Sequence, residues 1–354
     1  MRKINNFYAN NFDLARLVAA FLVLFTHGFE LVADLKDEPI YAITNGKLRC
    51  STIGLYIFFF TSGYLVTKSF INTPRVGEFI WKRFLRIFPA LIVIILLTAF
   101  VIGPVFTTLS LKTYFTNPDT YRYLFTSTGI YIRHILPGVF EGNQHYDHGV
   151  NGSLWSISLE LKLYFLLVFF GILFKKGIKK MFNYLVMTSL ILYIFILMDL
   201  FNLQYYFSPL HFSLFVLFWI GSLCGFHLEK IILSSGILLC LALSWSASLY
   251  FFEPLRPLLE IFFFGYLTLY CCYTQKTISL KIDLSYGIYI YAFLITQIFV
   301  EKLGQTDPLK IIFLVSWSVS MLSLASWLLI EKNSLALKKY YDLIFIARFS
   351  KRKL

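Results

Sequence analysis

Apolar runs of roughly twenty residues recur along this chain, and that recurrence decides its class. A helix rises about 1.5 Å per residue, so about 20 apolar residues cross the hydrocarbon core of a bilayer. Ten runs stand out, at 12–32, 53–71, 87–107, 154–174, 181–200, 210–228, 231–252, 258–273, 284–301 and 309–330. The eighth is short, which leaves nine spans as the competing count. The expected fold is all-α: a polytopic transmembrane helix bundle of about ten spans. Only 14% of the 354 residues are charged and the mean hydropathy is +0.70. An ordinary soluble domain carries about 25% charged residues, so solubility is excluded. The first run is long, contains Arg16 and lacks a small-residue cleavage site. It therefore reads as a span and not as a cleaved signal peptide.

The net charge is +13, and the basic residues crowd into alternate segments: Arg2 and Lys3, then Lys82, Arg83 and Arg86, then Lys175 to Lys180, and the stretch from Lys332 onward. Basic segments mark the cytoplasmic side, so both termini are expected inside. Charge placed in this way reads as orientation, and no nucleic-acid partner is expected. Residues 1–332 form the expected membrane domain. The tail, 333–354, mixes Tyr340, Tyr341, Phe345 and Phe349 with lysine and arginine, as an interfacial segment on an anionic leaflet would. The five cysteines have neither metal nor disulfide spacing, and most fall in or near apolar runs and read as inert filler; acylation of Cys271 or Cys272 is the minor alternative. The long loop 108–153 holds Glu141, His145, Asp147 and His148. Two histidines three apart without a partner motif are weak grounds for a metal, and none is expected.

Ionisable residues inside the runs carry the chemistry. Arg16 and His27 are eleven residues apart, three helical turns plus about 20°, so they share a face and stand about 16 Å apart along it. Arginine at mid-membrane costs about 2.5–3.5 kcal/mol, and such groups usually face a protein interior or a wet cavity. Asp13 lies one turn before Arg16 and is placed to pair with it; a snorkelling arginine is the alternative. The fourth run opens Asn151-Gly-Ser153-Leu-Trp155 and continues to Glu160 and Tyr164. In the expected topology Glu160 lies about 9 Å below the outer end of its helix and His27 about 7–8 Å below its own. A histidine and a carboxylate at matching depth could meet as a general base, the carboxylate orienting the imidazole. A structural buried pair is the alternative. Tyr164 shares the face of Glu160, and Trp155 fits an interfacial aromatic belt. Arg83 and Arg86 share a helical face, suited to phosphate or simply to orientation. Ser62 and Gly63 read mainly as helix packing. Tyr286 and Tyr289 read equally as cavity lining or packing.

Taken together, these segments resemble acyltransferase family 3 of multispanning membrane enzymes. The resemblance rests on Arg16 and His27, on Phe59 to Gly63, on Arg83, Arg86 and Pro89, on Asn151, Ser153, Leu154, Trp155, Ser156, Glu160 and Tyr164, on Ser285, Tyr286 and Tyr289, and on Glu331-Lys332. One feature departs from it. Many members have a histidine shortly after the Ser-Tyr-x-x-Tyr; here Ala292 and Phe293 follow Tyr291. The extracytoplasmic hydrolase-like domain fused to some members is expected to be absent. The resemblance implies transfer of an acyl group, most often acetyl, from cytoplasmic acyl-CoA to a hydroxyl of an extracytoplasmic glycan. His27 and Glu160 would be catalytic, with His27 as general base or as a transiently acetylated nucleophile. Arg16, Arg83, Arg86 and Asp13 would serve the donor. Asn151, Ser153, Trp155, Tyr164, Ser62, Tyr286 and Tyr289 would form the pocket. Acetyl-CoA enters as a donor substrate and no resident cofactor is expected. A bacterial inner-membrane protein acting on O-antigen or another surface polysaccharide is the leading expectation. A transporter or flippase, which also buries Arg, His and Glu, is the alternative, as is an acyltransferase for a small secreted or lipid-linked metabolite.

Overall fold

The computed structural model describes residues 2–3, 10–73, 75–142, 149–304 and 307–346. His145 and His148, and Phe349 of the tail, lie outside the described residues. The long helices are α1 (Phe12–Val32), α2 (Cys50–Asn72), α3 (Val76–Leu97), α4 (Trp155–Leu173), α5 (Ile178–Leu197), α6 (Pro209–His227), α7 (Ser235–Ser248), α8 (Arg256–Thr274), α9 (Ser285–Leu303) and α10 (Pro308–Ser326). One helix answers to each apolar run, and among the described residues eight helical stretches are long and apolar enough to cross a membrane. The all-α polytopic bundle is therefore the observed class. Among the described residues the strands are two pairs of residues, Arg2–Lys3 against Ile232–Leu233.

Three boundaries differ from expectation. The short helix is the seventh, of 14 residues, and not the eighth, of 19. Helix α3 begins at Val76 and not at 87, so Arg83 and Arg86 stand within it. Charged residues at a helix end lower hydropathy without lowering helix propensity, so the apolar run understates the helix. Helix α10 likewise runs on through a π-turn, Trp327–Glu331, and short helical pieces to Tyr340.

The chain forms two compact units. The first comprises Met1–Thr26, Lys36–Ile71 and Lys162–Lys281. Its helices approach closely because lipid gives no hydrophobic drive for association, and contact then depends on backbone proximity at small residues. A Cβ on Gly63 would stand 2.0 Å from the Phe218 carbonyl oxygen, and one on Gly221 would stand 2.2 Å from that of Phe60. The pair lets α2 and α6 touch backbone to backbone, so Gly63 serves packing. Trp219, fully buried, fills the neighbouring space against Phe182 and Phe215.

The second unit comprises His27–Leu35, Asn72–Leu161 and Ile282–Leu354. Pro89 sits inside α3, where its missing N–H leaves a helix hydrogen bond unmade. A π-turn follows at Thr98–Ile102, and the hydroxyl of buried Tyr114 donates to the Ala99 carbonyl at 2.7 Å. Burial pushes the Tyr114 phenol up to about 12. The loop after α3 winds into short helices capped by Ser110 and Asn117, whose side chains accept from Thr113 and Asp119 amides. Asp119 pairs with Arg122 at 3.1 Å and with Arg133 at 2.9 Å, and these hydrogen bonds hold its carboxyl below the usual range. The C-terminal end of α1 packs on α10 through Gly28, where a Cβ would meet Ile312 at 2.2 Å.

Candidate active site

The second unit gathers most of the predicted chemistry. His27 lies on the last turns of α1, half-buried, and its Nδ1 is 2.9 Å from Glu30 Oε2. Three residues on a helix face one another, so the pair is local. The side chains are 15% and 23% exposed, enough to admit a reactant yet dry enough to strengthen the hydrogen bond. The ring edge of Phe293, on α9, packs on the imidazole with centroids 5.0 Å apart and planes at 76°. Phe293 lies four residues after Tyr289, in the stretch where many members of the resembled family carry a histidine.

Glu160 stands on the second turn of α4. It lies within electrostatic reach of the Tyr286 and Tyr289 hydroxyls of α9. The entry to α4 is stitched to α9. Asn151 Nδ2 donates to the Ile290 carbonyl at 2.9 Å, and its Oδ1 accepts from Ser153 at 3.1 Å. Gln297 donates to the Gly149 carbonyl at 2.7 Å. Tyr289 donates to the Ser153 carbonyl at 2.9 Å and so accepts from Ser156 at 2.5 Å. Asn151 and Ser153 are both buried. Their polar atoms reach carbonyls of α9 and each other, so they tie the start of α4 to α9 and do not cap its free N–H groups. Trp155, the first residue of α4, is half-buried.

Midway along α3, Arg86 is ion-paired with Asp283 and lies 3.7 Å from Glu331. Its guanidinium also sits over the Tyr286 ring at 5.8 Å. Tyr286 in turn donates to the Ile87 carbonyl at 2.7 Å. Glu331 closes the π-turn of α10 and accepts from Ser326, whose hydroxyl also bonds Tyr291. One half-buried cation thus ties α3, α9 and α10 through two carboxylates. Lys338, half-buried beyond α10, lies within electrostatic reach of Lys82, Arg83 and Arg86. Arg83 places its guanidinium 5.9 Å over the Phe79 ring.

In the first unit, Arg16 pairs with Asp13 at 2.7 Å, as their spacing predicted. Ser62 and Tyr164 hydroxyls meet at 2.9 Å across α2 and α4. Among the described residues no group of three or more His, Cys, Asp or Glu could hold a metal.

Sequence reasoning passed over Glu30, Asp283 and Ser156 as site residues. The signal for Glu30 was present, since it has the same three-residue spacing that linked Asp13 to Arg16. Asp283 carried no such local signal, being 197 positions from Arg86.

A family model described as acyltransferase domain matches residues 10–330. The chain belongs to acyltransferase family 3. The matched residues include His27, Arg86 and Asp283, and end one residue before Glu331. Two curated relatives of this acyltransferase span almost its whole length. An O-acetyl transferase of Shigella phage Sf6 is 29% identical over 349 residues, covering 92% of this chain and 96% of that one. Nodulation protein 10 of Rhizobium leguminosarum bv. viciae is 28% identical over 356 residues, 94% of each chain. No solved structure matches at a significant level. The protein is thus a multi-pass membrane acyltransferase.

Proposed function

We propose that this acyltransferase moves an acetyl group from cytoplasmic acetyl-CoA to a hydroxyl of an extracytoplasmic glycan, with His27 as general base. The observation that carries the reading is the 2.9 Å contact of His27 Nδ1 with Glu30. A carboxylate accepting from Nδ1–H selects the tautomer whose Nε2 bears the lone pair, and it stabilises the imidazolium that forms. Nε2 then takes the proton of the glycan hydroxyl as its oxygen attacks the thioester carbonyl. The C–O bond forms, the C–S bond breaks, and the imidazolium returns the proton to the departing CoA thiolate. Glu160 adds negative charge on the α4–α9 side, where it acts on Tyr286 and Tyr289.

The donor carries phosphates, and planar guanidinium groups suit them. Arg83 supplies such a group beside Lys82, Arg86 and Lys338. Arg86, whose charge is met by Asp283 and Glu331, holds the helices that frame this end. Asn151, Ser153 and Tyr289 keep the start of α4 in place and set the height of Glu160 and Trp155 beneath the acceptor.

The acetyl group is favoured by the relative named as an O-acetyl transferase. A bacterial surface polysaccharide such as O-antigen, reached from the cytoplasmic membrane, is the acceptor this reading favours. The deciding experiment incubates purified protein in lipid nanodiscs with labelled acetyl-CoA and surface polysaccharide. Acetyl transfer by the parent and its loss in His27→Ala is the expected result. Equal transfer by His27→Ala would remove histidine catalysis. Unchanged glycan O-acetylation in cells lacking the gene would remove the acceptor.

A further inference from the structure

We propose that the first unit holds one anionic phospholipid, an acyl chain lying in a cavity between α2, α6, α7 and α8 and the phosphate resting on basic residues at its end. The cavity has a volume of about 240 Å³ and is lined by Phe60, Ile220, Cys224, Leu241, Ile261 and Gly265 among others. These side chains offer carbon and one thiol. The Tyr266 hydroxyl at its edge is already engaged, accepting from the Ser234 amide at 2.8 Å and donating to the Ile232 carbonyl at 3.1 Å. A sugar or a nucleotide would find no hydrogen-bond partner there, whereas hydrocarbon loses nothing on entry.

One end of the cavity is positively charged. Cys224 lines it, and His227 follows one turn later on the same face of α6, about 5 Å along the axis. His227 Nε2 is buried with no hydrogen-bond partner among the described residues. Lys179, at the start of α5, and Lys230 both act electrostatically on His227. Ile231 also lines the cavity and directly follows Lys230. The strand register brings the backbone of Arg2 and Lys3 to Leu233 and Ile232 at this same end. Glu229 is the acidic residue nearby in sequence, and it is exposed. An apolar slot ending in an unsatisfied imidazole and two lysines matches a ligand that is hydrocarbon at one end and anionic at the other. Basic residues near the membrane surface favour anionic lipid for the same reason.

Native mass spectrometry of the full chain, purified in mild detergent and titrated with phosphatidylglycerol or phosphatidylethanolamine of identical chains, tests this. One phosphatidylglycerol per chain, bound at least tenfold more tightly than phosphatidylethanolamine, is expected. Lys179→Glu with Lys230→Glu should erase that preference, and Leu241→Trp, which fills the cavity, should weaken both lipids. Equal binding of the two lipids by the parent, or undiminished preference in the charge variant, would overturn the proposal. If Leu241→Trp misfolds, phosphatidylglycerol with six-carbon chains replaces it on the parent protein; binding as tight as that of the long-chain lipid would overturn the acyl-chain site.

Discussion

Glu30 lies one helical turn beyond His27 on α1, with its carboxylate 2.9 Å from the imidazole Nδ1. Replacing it by glutamine keeps the shape and removes the charge that selects the tautomer. General-base catalysis contributes about 10²–10⁴-fold. His27→Ala should lose about that factor in kcat, and Glu30→Gln about 10–10²-fold with KM for acetyl-CoA little changed. Labelled acetyl transfer by purified variants measures both. Glu160→Gln belongs in the same series: a larger loss there than in Glu30→Gln would make Glu160 the carboxylate that matters.

Arg86 faces two carboxylates in a nearly dry setting, its side chain 17% exposed and that of Glu331 4%. Removing one partner of a buried ion pair costs about 3–5 kcal/mol because the other charge is stranded. Arg86→Met should therefore lower the unfolding midpoint in detergent strongly. Arg86→Met combined with Glu331→Gln and Asp283→Asn should recover part of the loss. A thermal melt of each variant decides this, and a parent-like melt for Arg86→Met would discard the structural role.

Gly28 leaves room for α10, since a Cβ there would approach Ile312 to 2.2 Å. Overpacking of this kind costs about 1–3 kcal/mol. Gly28→Val should destabilise the protein by about that amount and, being next to His27, should lower turnover beyond what stability alone explains. Ile312→Ala in the same chain should restore much of both, measured by melting and acetyl transfer.

Asp119 is exposed and accepts hydrogen bonds from Arg122 and Arg133, which hold its pKa below the ordinary carboxylate value. A group depressed in the folded state contributes stability above its unfolded pKa, about 3.9, and loses that contribution as pH falls through the lower folded value. Hydrogen exchange of the loop amides should accelerate as pH drops below about 4, once intrinsic exchange is corrected for. Asp119→Asn should be fast at all pH values and lack that step.

The apolar runs made the helices legible, because hydrocarbon thickness sets their length whatever their neighbours. Where charge interrupts a run the apolar stretch understates the helix, as at Val76, since hydropathy and helicity part company there. Arg16 with Asp13 was legible because helical geometry alone places residues three apart together. Matching Glu160 and His27 by depth drew on helix rise, which says nothing of rotation about the axis. The contact of His27 with Phe293 depends on that rotation.

By itself the sequence determined a membrane-embedded helical protein with histidine, arginine and carboxylates held where lipid should be, since length, hydropathy and local spacing are properties of a single helix. Only the tertiary structure decided that Arg86 meets Asp283 197 positions away, that Asn151 binds the Ile290 backbone 139 positions away, and that Phe293 closes on His27. Those pairings follow from which helix faces pack together, and helix packing is set by the sum of many small contacts that no local pattern encodes.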